Sequence, residues 1–214
     1  MTAYLQRAGY EINHKRVQRL MRKMGLQAIY PGPKPKQGGE PHQIYPYLLR
    51  GLAIEGVNQV WSTDITYIRL KGGFMYLTAC HIMAFDWYSR SVVEWELSNT
   101  LDGHFCQVAL TRALRQGKPA IFNTDQGTQF TAKAFTDILQ QAQVKISMDG
   151  RGRALDNIFV ERLWRSVKYE LIYLHDFVTV AELITALKQY FHFYNHLRLH
   201  QSLNYLTPVE VHFA

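Results

Sequence analysis

The chain has 214 residues, of which 47% are hydrophobic and 19% charged, with a formal net charge of +7. That is enough apolar material for one sizeable core with an appendage, and it excludes a disordered chain. There is no run of about 18 apolar residues and no charged-then-apolar leader, so neither a membrane span nor export is expected, and a cytoplasmic protein is.

The basic balance favours a polyanionic partner, nucleic acid before membrane. Two cysteines, Cys80 and Cys106, make neither a disulfide framework nor a zinc module.

Three compositional zones follow in order: a basic helix-patterned stretch over 1–30, a Pro/Gly/Lys-rich linker over 31–55, and a globular region over 56–214. In the first zone Asn13 can cap a helix ending at Met24, with Gly25 as its stop and Val17, Leu20, Met21 and Met24 as its apolar stripe. Lys15, Arg16 and Arg19 fall on the other faces. They are either an ordinary solvated surface or the DNA-facing side of a helix-turn-helix.

In the globular zone, Gln59–Leu70 and Phe74–Met83 are β-rich runs joined by a turn at Lys71-Gly72-Gly73. A third run, Ser91–Leu97, follows a polar turn at Asp86–Arg90. Helices are predicted over about 102–116 and 131–142, and strands at Ala120–Asn123 and Val144–Ser147. Two long helices, about 155–173 and 180–196, close the pattern. Meandering strands followed by alternating helices and strands imply an α/β fold with a mixed sheet.

Three carboxylates stand out. Asp64 lies within the first β-run, where a charge is costly unless paired or metal-bound. Asp125 follows a short strand, with Gly127 behind it, at the kind of strand end where α/β sheets build sites. Glu161 sits on the flank of a helix whose core stripe is Val160, Leu163, Trp164, Val167 and Leu171.

Each alone has an ordinary reading: a partly solvated strand-end Asp, a turn, and a surface Glu paired with Arg165. Together, two strand-linked aspartates and a helical glutamate can converge at one end of a sheet. Hard oxygen ligands suit Mg²⁺ or Mn²⁺, and two such ions support in-line attack on a phosphodiester. Arg165 and Lys168 beside Glu161 would meet phosphates, and Arg151 and Arg153 form a basic loop near them. The spacing of His192, His196 and His200 lacks the companion Glu of a zinc motif. Asp86 is read as a turn residue.

The spacing of Asp64, Asp125 and Glu161, with 35 residues between the last two, resembles the Asp-Asp-Glu signature of retroviral integrases and bacterial insertion-sequence transposases. More closely, the chain is similar to the second-frame (OrfB-type) transposases related to those integrases. The matching segments are NQVWSTDITYI, DWYSRSVV, NTDQGTQF, ALDNIFVERLWRSVKYE and the closing YNHLRLHQSLNYLTPVEV, and AGYEINHKRVQRLMRKMGL at the front looks like the end of a helix-turn-helix.

The resemblance implies a ribonuclease H-like mixed sheet flanked by helices, with a partial N-terminal helix-turn-helix. It implies Asp64, Asp125 and Glu161 as ligands of two Mg²⁺ or Mn²⁺ ions, Lys168 as a DNA contact, and Asp156 and Asn157 as helix capping and local structure. The implied activity is cleavage and strand transfer of transposon DNA. The implied partners are terminal-repeat and target DNA, further copies of the chain on that DNA and an upstream-frame product, in the nucleoid-associated cytoplasm of a bacterium. Three positions depart from the family pattern: Asn123 replaces the usual His, Val57 the usual Pro, and 151–155 lacks an aromatic before Asp156. Two other readings of the carboxylates are a nuclease that cuts without joining and a non-catalytic DNA-binding module.

Overall fold

The computed structural model describes residues 2–24, 43–70, 78–98, 102–150 and 157–214. The chain divides into two compact units, Met1–Glu40 and Pro41–Ala214. In the first, α1 (Thr2–Arg7) precedes α2 (His14–Lys23). Asn13 caps α2 as expected, its Oδ1 accepting the Arg16 backbone N–H at 3.0 Å. The predicted apolar stripe is only partly used. Val17 is buried, whereas Leu20 and Met24 are exposed, because the one other described element of this unit is the six-residue α1. Lys15, Arg16 and Arg19 are all exposed. Gly25, the expected stop, lies outside the described residues.

The second unit is a sheet with helices on both faces. Its strands are β1 (Val60–Ser62), β2 (Ile65–Arg69), β3 (Thr78–Asp86), β4 (Val92–Ser98), β5 (Ile121–Thr124) and β6 (Lys145–Met148). β4 pairs with β3 antiparallel, and β1 and β2 share the other edge of β3. On its far side β1 pairs with β5 parallel, and β5 with β6 parallel. This is the mixed sheet expected of a ribonuclease H-like core.

The single strand expected over Gln59–Leu70 is broken at Thr63–Asp64. Register against β3 continues across the break, from Ser62↔Phe85 to Ile65↔Ile82, so the interruption is local. Its cause is visible at Asp64, whose own carboxylate takes the Ile65 backbone N–H at 2.8 Å in place of a regular strand geometry. The turn expected at 71–73 lies outside the described residues.

The helices are α3 (His104–Gln116), α4 (Thr128–Thr131), α5 (Lys133–Gln141), α6 (Ile158–Glu170), α7 (Val180–His196) and α8 (Pro208–His212). The helix expected over about 131–142 is α5, preceded by the short α4, and the one expected to run to 173 ends at Glu170 and gives way to a 3₁₀ turn, Ile172–Leu174. Strand alternation divides the core. Val60 and Phe85 join the stripes of α6 and α7, while Trp61 and Ala84 join α3 and α5. The expected stripe Leu183, Leu187, Tyr190, Phe191 and Tyr194 is buried, and Thr179 with Glu182 forms the expected capping box. Among the described residues no helix is long and apolar enough to cross a membrane.

Side chains outside the stripes fasten the layers. Asn195 of α7 clamps β4, accepting the Val92 N–H at 3.0 Å and donating to the Val92 carbonyl at 2.8 Å. Asp86 is fully buried. One oxygen accepts from the Ser89 N–H and hydroxyl, the other from the Asn58 N–H and the Trp61 indole. It is a turn residue, as expected, and also the hub of that corner. The described part of the basic linker is seated on the sheet: the Leu48 N–H donates to Ser147 Oγ at 3.0 Å, and Leu49 is buried.

Candidate active site

The strand break puts Asp64 on the sheet face covered by α6. Its Oδ1 accepts from Ile65 N–H at 2.8 Å and its Oδ2 from the Trp164 indole N–H at 3.1 Å. Trp164 belongs to the buried stripe of α6, one helical turn from Glu161. One indole thus packs the core with its ring and positions a site carboxylate with its N–H.

Asp125 follows β5, which lies beside β1 in parallel register, Ser62↔Asn123. Its Oδ1 accepts the Gly127 N–H at 2.8 Å, an Asx-type turn. A Cβ on Gly127 would stand 2.9 Å from that oxygen, so any other residue here makes the Asp125 carboxylate shift. The Gly127 φ of −61° is open to any residue.

Glu161 lies in the first turn of α6 and is exposed. Burial pushes the Asp64 carboxyl up to about 6. The negative charges of Asp125 and Glu161 add to this, while the N–H groups of Ile65 and Trp164 oppose it. The three carboxylates that the sequence singled out therefore share one electrostatic field, and none of them is in an ion pair among the described residues.

An oxygen-only donor set with uncompensated negative charge fits a hard divalent cation. Among the described residues no three His, Cys, Asp or Glu side chains are gathered into a finished cage, so the fit is one of chemistry and charge.

Of the basic residues expected nearby, Arg165 is exposed, its guanidinium 5.3 Å from the ring centre of Tyr169. Lys168 lines a groove with Tyr67 and Tyr173. Arg151 and Arg153 lie outside the described residues, as does Asp156. Asn157 corrects an expectation. It occupies the N-cap position of α6 without a side-chain capping bond; instead its amide reaches the Thr63 carbonyl at 3.4 Å, tying the helix start to the strand break. The pull of that carbonyl beside Asp64 outweighs the local cap.

Two contributors escaped the sequence reading. Asn123 Nδ2 donates to Asp149 Oδ1 at 2.7 Å, and both are buried beside the Asp125 turn. Gln126 Nε2 donates to the Asp149 carbonyl at 2.8 Å. Trp164 was visible only as a core residue. His192 and His196 stack on the exposed face of α7, while His200 lies beyond the helix, and among the described residues no metal-binding group of histidines forms.

A ribonuclease H-like mixed sheet, with Asp64 and Asp125 beside strand ends and Glu161 on the adjoining helix α6, is the layout of a polynucleotidyl transferase core. Comparisons with known proteins agree. Models described as integrase core domain match residues 55–154 and 142–208, and one described as HTH-like domain matches residues 1–34.

InsK, described as a transposase for insertion sequence element IS150 of Escherichia coli (strain K12), is 32% identical over 98% of this chain and 75% of its own length. The transposase for insertion sequence element IS904 of Lactococcus lactis is 30% identical over 97% of this chain and 83% of its own.

Among solved structures, the HTLV-2 integrase catalytic core in complex with magnesium superposes with a TM-score of 0.58 at 20% identity, over 73% of this chain and 97% of that one. A simian T-cell lymphotropic virus intasome chain gives 0.66 at 18%, over 82% of this chain and 61% of that one. The chain belongs to the insertion-sequence transposases with an integrase-like catalytic core, enzymes that cleave DNA and transfer its strands during transposition.

Proposed function

We propose that Asp64, Asp125 and Glu161 are the catalytic carboxylates of this transposase and hold two Mg²⁺ or Mn²⁺ ions. The observation that supports this is the half-buried Asp64 carboxyl, raised first by burial and further by the charges of Asp125 and Glu161, and engaged among the described residues by neutral N–H donors. Bound there, the cations supply Lewis acidity to the attacked phosphate and its attacking hydroxyl. Trp164 and Ile65 hold Asp64 in one orientation, and the Asx turn through Gly127 aims Asp125. Water or a DNA 3′-hydroxyl attacks the phosphorus in line, the opposite P–O bond breaks, and the leaving oxygen departs with the electron pair; no covalent enzyme intermediate forms. Arg165, Lys168, Arg151 and Arg153 bear on the phosphates of the DNA.

Residues 1–30 serve as a DNA-binding helical segment, with Lys15, Arg16 and Arg19 toward the phosphates. Residues 31–55 connect it to a catalytic core over 56–214. The related HTLV-2 core occurs in dimeric and trimeric forms, which supports several copies of this chain on paired DNA ends, with an upstream-frame product as a further partner. Such a protein works in the bacterial cytoplasm at the nucleoid.

The test is a strand-transfer assay on labelled DNA bearing the element's own ends. Joined products are expected with Mg²⁺ or Mn²⁺ and not with Ca²⁺. Asp64→Asn, Asp125→Asn and Glu161→Gln are expected to lose joining and keep DNA binding. Full joining by any one of these variants removes that residue from the set, and cutting without joining by the wild type reassigns the chain to a nuclease.

A further inference from the structure

The face of α6 that carries Phe159, Arg162 and Ser166, with Arg162 roughly 100° round the helix from Glu161, lines a cleft of about 540 Å³ bounded also by the β3–β4 turn and the segment after α7. Arg90, Arg162 and Arg198 line it, and among the described residues no Asp or Glu does. Their charges are balanced unequally. Arg198 is neutralised by Glu170, at 2.7 and 3.2 Å.

Arg90 is different. Its guanidinium lies 3.6 Å over the Phe159 ring, and its Nη1 is buried without a hydrogen-bond partner among the described residues. Burial and the facing charge of Arg162 lower its pKa below the usual arginine range. The nearby Asp86 cannot complete it, because both Asp86 oxygens already accept from Asn58, Trp61 and Ser89. Arg162 is exposed and forms no ion pair among the described residues. Across the cleft His200 is nine-tenths buried, and its Nε2 is also without a partner. A half-buried guanidinium with one buried, unpaired N–H group is costly unless an anion completes it.

We propose that this cleft binds a non-scissile backbone phosphate of the DNA strand being processed, held between Arg90 and Arg162. The inference rests on the DNA-transferase reading above and adds to it a site apart from the carboxylates. Neighbouring residues on a helix point about 100° apart, so a strand crossing α6 at Glu161 passes next over Arg162. Arg165, one turn on, continues the track through a second depression that it shares with Arg162, Ser166, Tyr169 and Glu170, the last already paired with Arg198. A phosphodiester chain matches several cations spaced along one helix better than a single free anion does.

The experiment is binding of a fluorescein-labelled duplex to the full chain, by anisotropy over a salt series, for the wild type, Arg162→Ala, Arg90→Gln and the control Arg112→Ala on α3. Arg162→Ala is at an exposed position and is expected to fold even if Arg90→Gln does not. It is expected to weaken binding roughly five- to tenfold for any sequence and to lower the salt slope by about one. Arg112→Ala is expected to leave both unchanged.

Wild-type binding with affinity and slope unaltered in Arg162→Ala overturns the cleft site and leaves the enzyme reading standing. A wild type that binds no DNA overturns the enzyme reading itself. Two other outcomes also overturn the proposal. In one, inorganic phosphate stabilises the wild type but not Arg162→Ala while DNA affinity is unchanged, which makes the cleft a small-anion site. In the other, only self-association changes in sedimentation, which makes it a protein contact.

Discussion

The indole N–H of Trp164 lies 3.1 Å from Oδ2 of Asp64, joining α6 to the break between β1 and β2. This bond sets the helix that carries Glu161 against the strand that carries Asp64. Trp164→Phe keeps most of the ring in the core and removes the donor. We expect strand transfer to fall about tenfold or more, as is usual when an outer partner of a metal-ligating carboxylate is lost. Thermal unfolding should move little. A rate equal to the wild type's, measured at saturating Mg²⁺ and again at limiting Mg²⁺, would show that the bond is incidental.

The Asp64 carboxyl also ties stability to pH. An unfolded aspartate releases its proton near 3.8, whereas burial and the charges of Asp125 and Glu161 hold this one up to about 6. Between those values the folded state binds more protons than the unfolded state. Its contribution is therefore fully present below the lower value and is lost as pH rises through the upper one. At neutral pH the charged carboxylate costs up to about 3 kcal/mol without metal. Asp64→Asn is expected to stabilise the metal-free protein at pH 7 and to flatten its stability between pH 4 and 6. Added Mg²⁺ should stabilise the wild type and have a smaller effect on the variant. Chemical denaturation across that pH range, with and without Mg²⁺, decides it; a variant less stable than the wild type at pH 7 contradicts the account.

How far the sequence foretold these features depends on whether they are periodic or local. The stripes of α6 and α7 follow from helical spacing, and the three carboxylates stand at strand ends and on a helix flank in a recognisable order. The interruption at Asp64 did not show, because a side chain that takes its neighbour's N–H leaves the alternation of β1 and β2 intact. Asn157 reads as a cap from its position, yet the Thr63 carbonyl claims its amide. Asp149 was silent for a different reason. Its importance depends on Asn123, which is 26 positions away in sequence and adjacent only through the parallel pairing of β5 and β6.

Gly127 supplies a prediction that separates activity from stability. With φ at −61°, alanine is allowed there, but its Cβ would sit 2.9 Å from Asp125 Oδ1. The carboxylate must then swing away or lose the 2.8 Å bond from the Gly127 N–H. Gly127→Ala is expected to reduce strand transfer by an order of magnitude or more, since small displacements of reacting groups are costly. The melting temperature should change by only a few degrees. Equal activity in a well-folded variant would mean that the position of Asp125 is set elsewhere.

Asn195 provides the complementary case, a residue whose loss affects the fold and not the chemistry. It satisfies both backbone groups of Val92 at the start of β4, at 3.0 and 2.8 Å, from the far end of α7. Leucine at that position would fill similar space but leave the Val92 N–H and carbonyl without their partner. Each buried group so orphaned costs on the order of 1–3 kcal/mol, less where water reaches it. Asn195→Leu is therefore expected to lower unfolding free energy by about 2 kcal/mol. Strand transfer by the folded fraction should be unaltered, because Asn195 touches neither the carboxylates nor the α6 face that carries Glu161. Denaturant unfolding followed by an activity measurement well below the transition tests both halves. A loss of activity without a loss of stability would instead mean that the clamp on β4 reaches the site through β3.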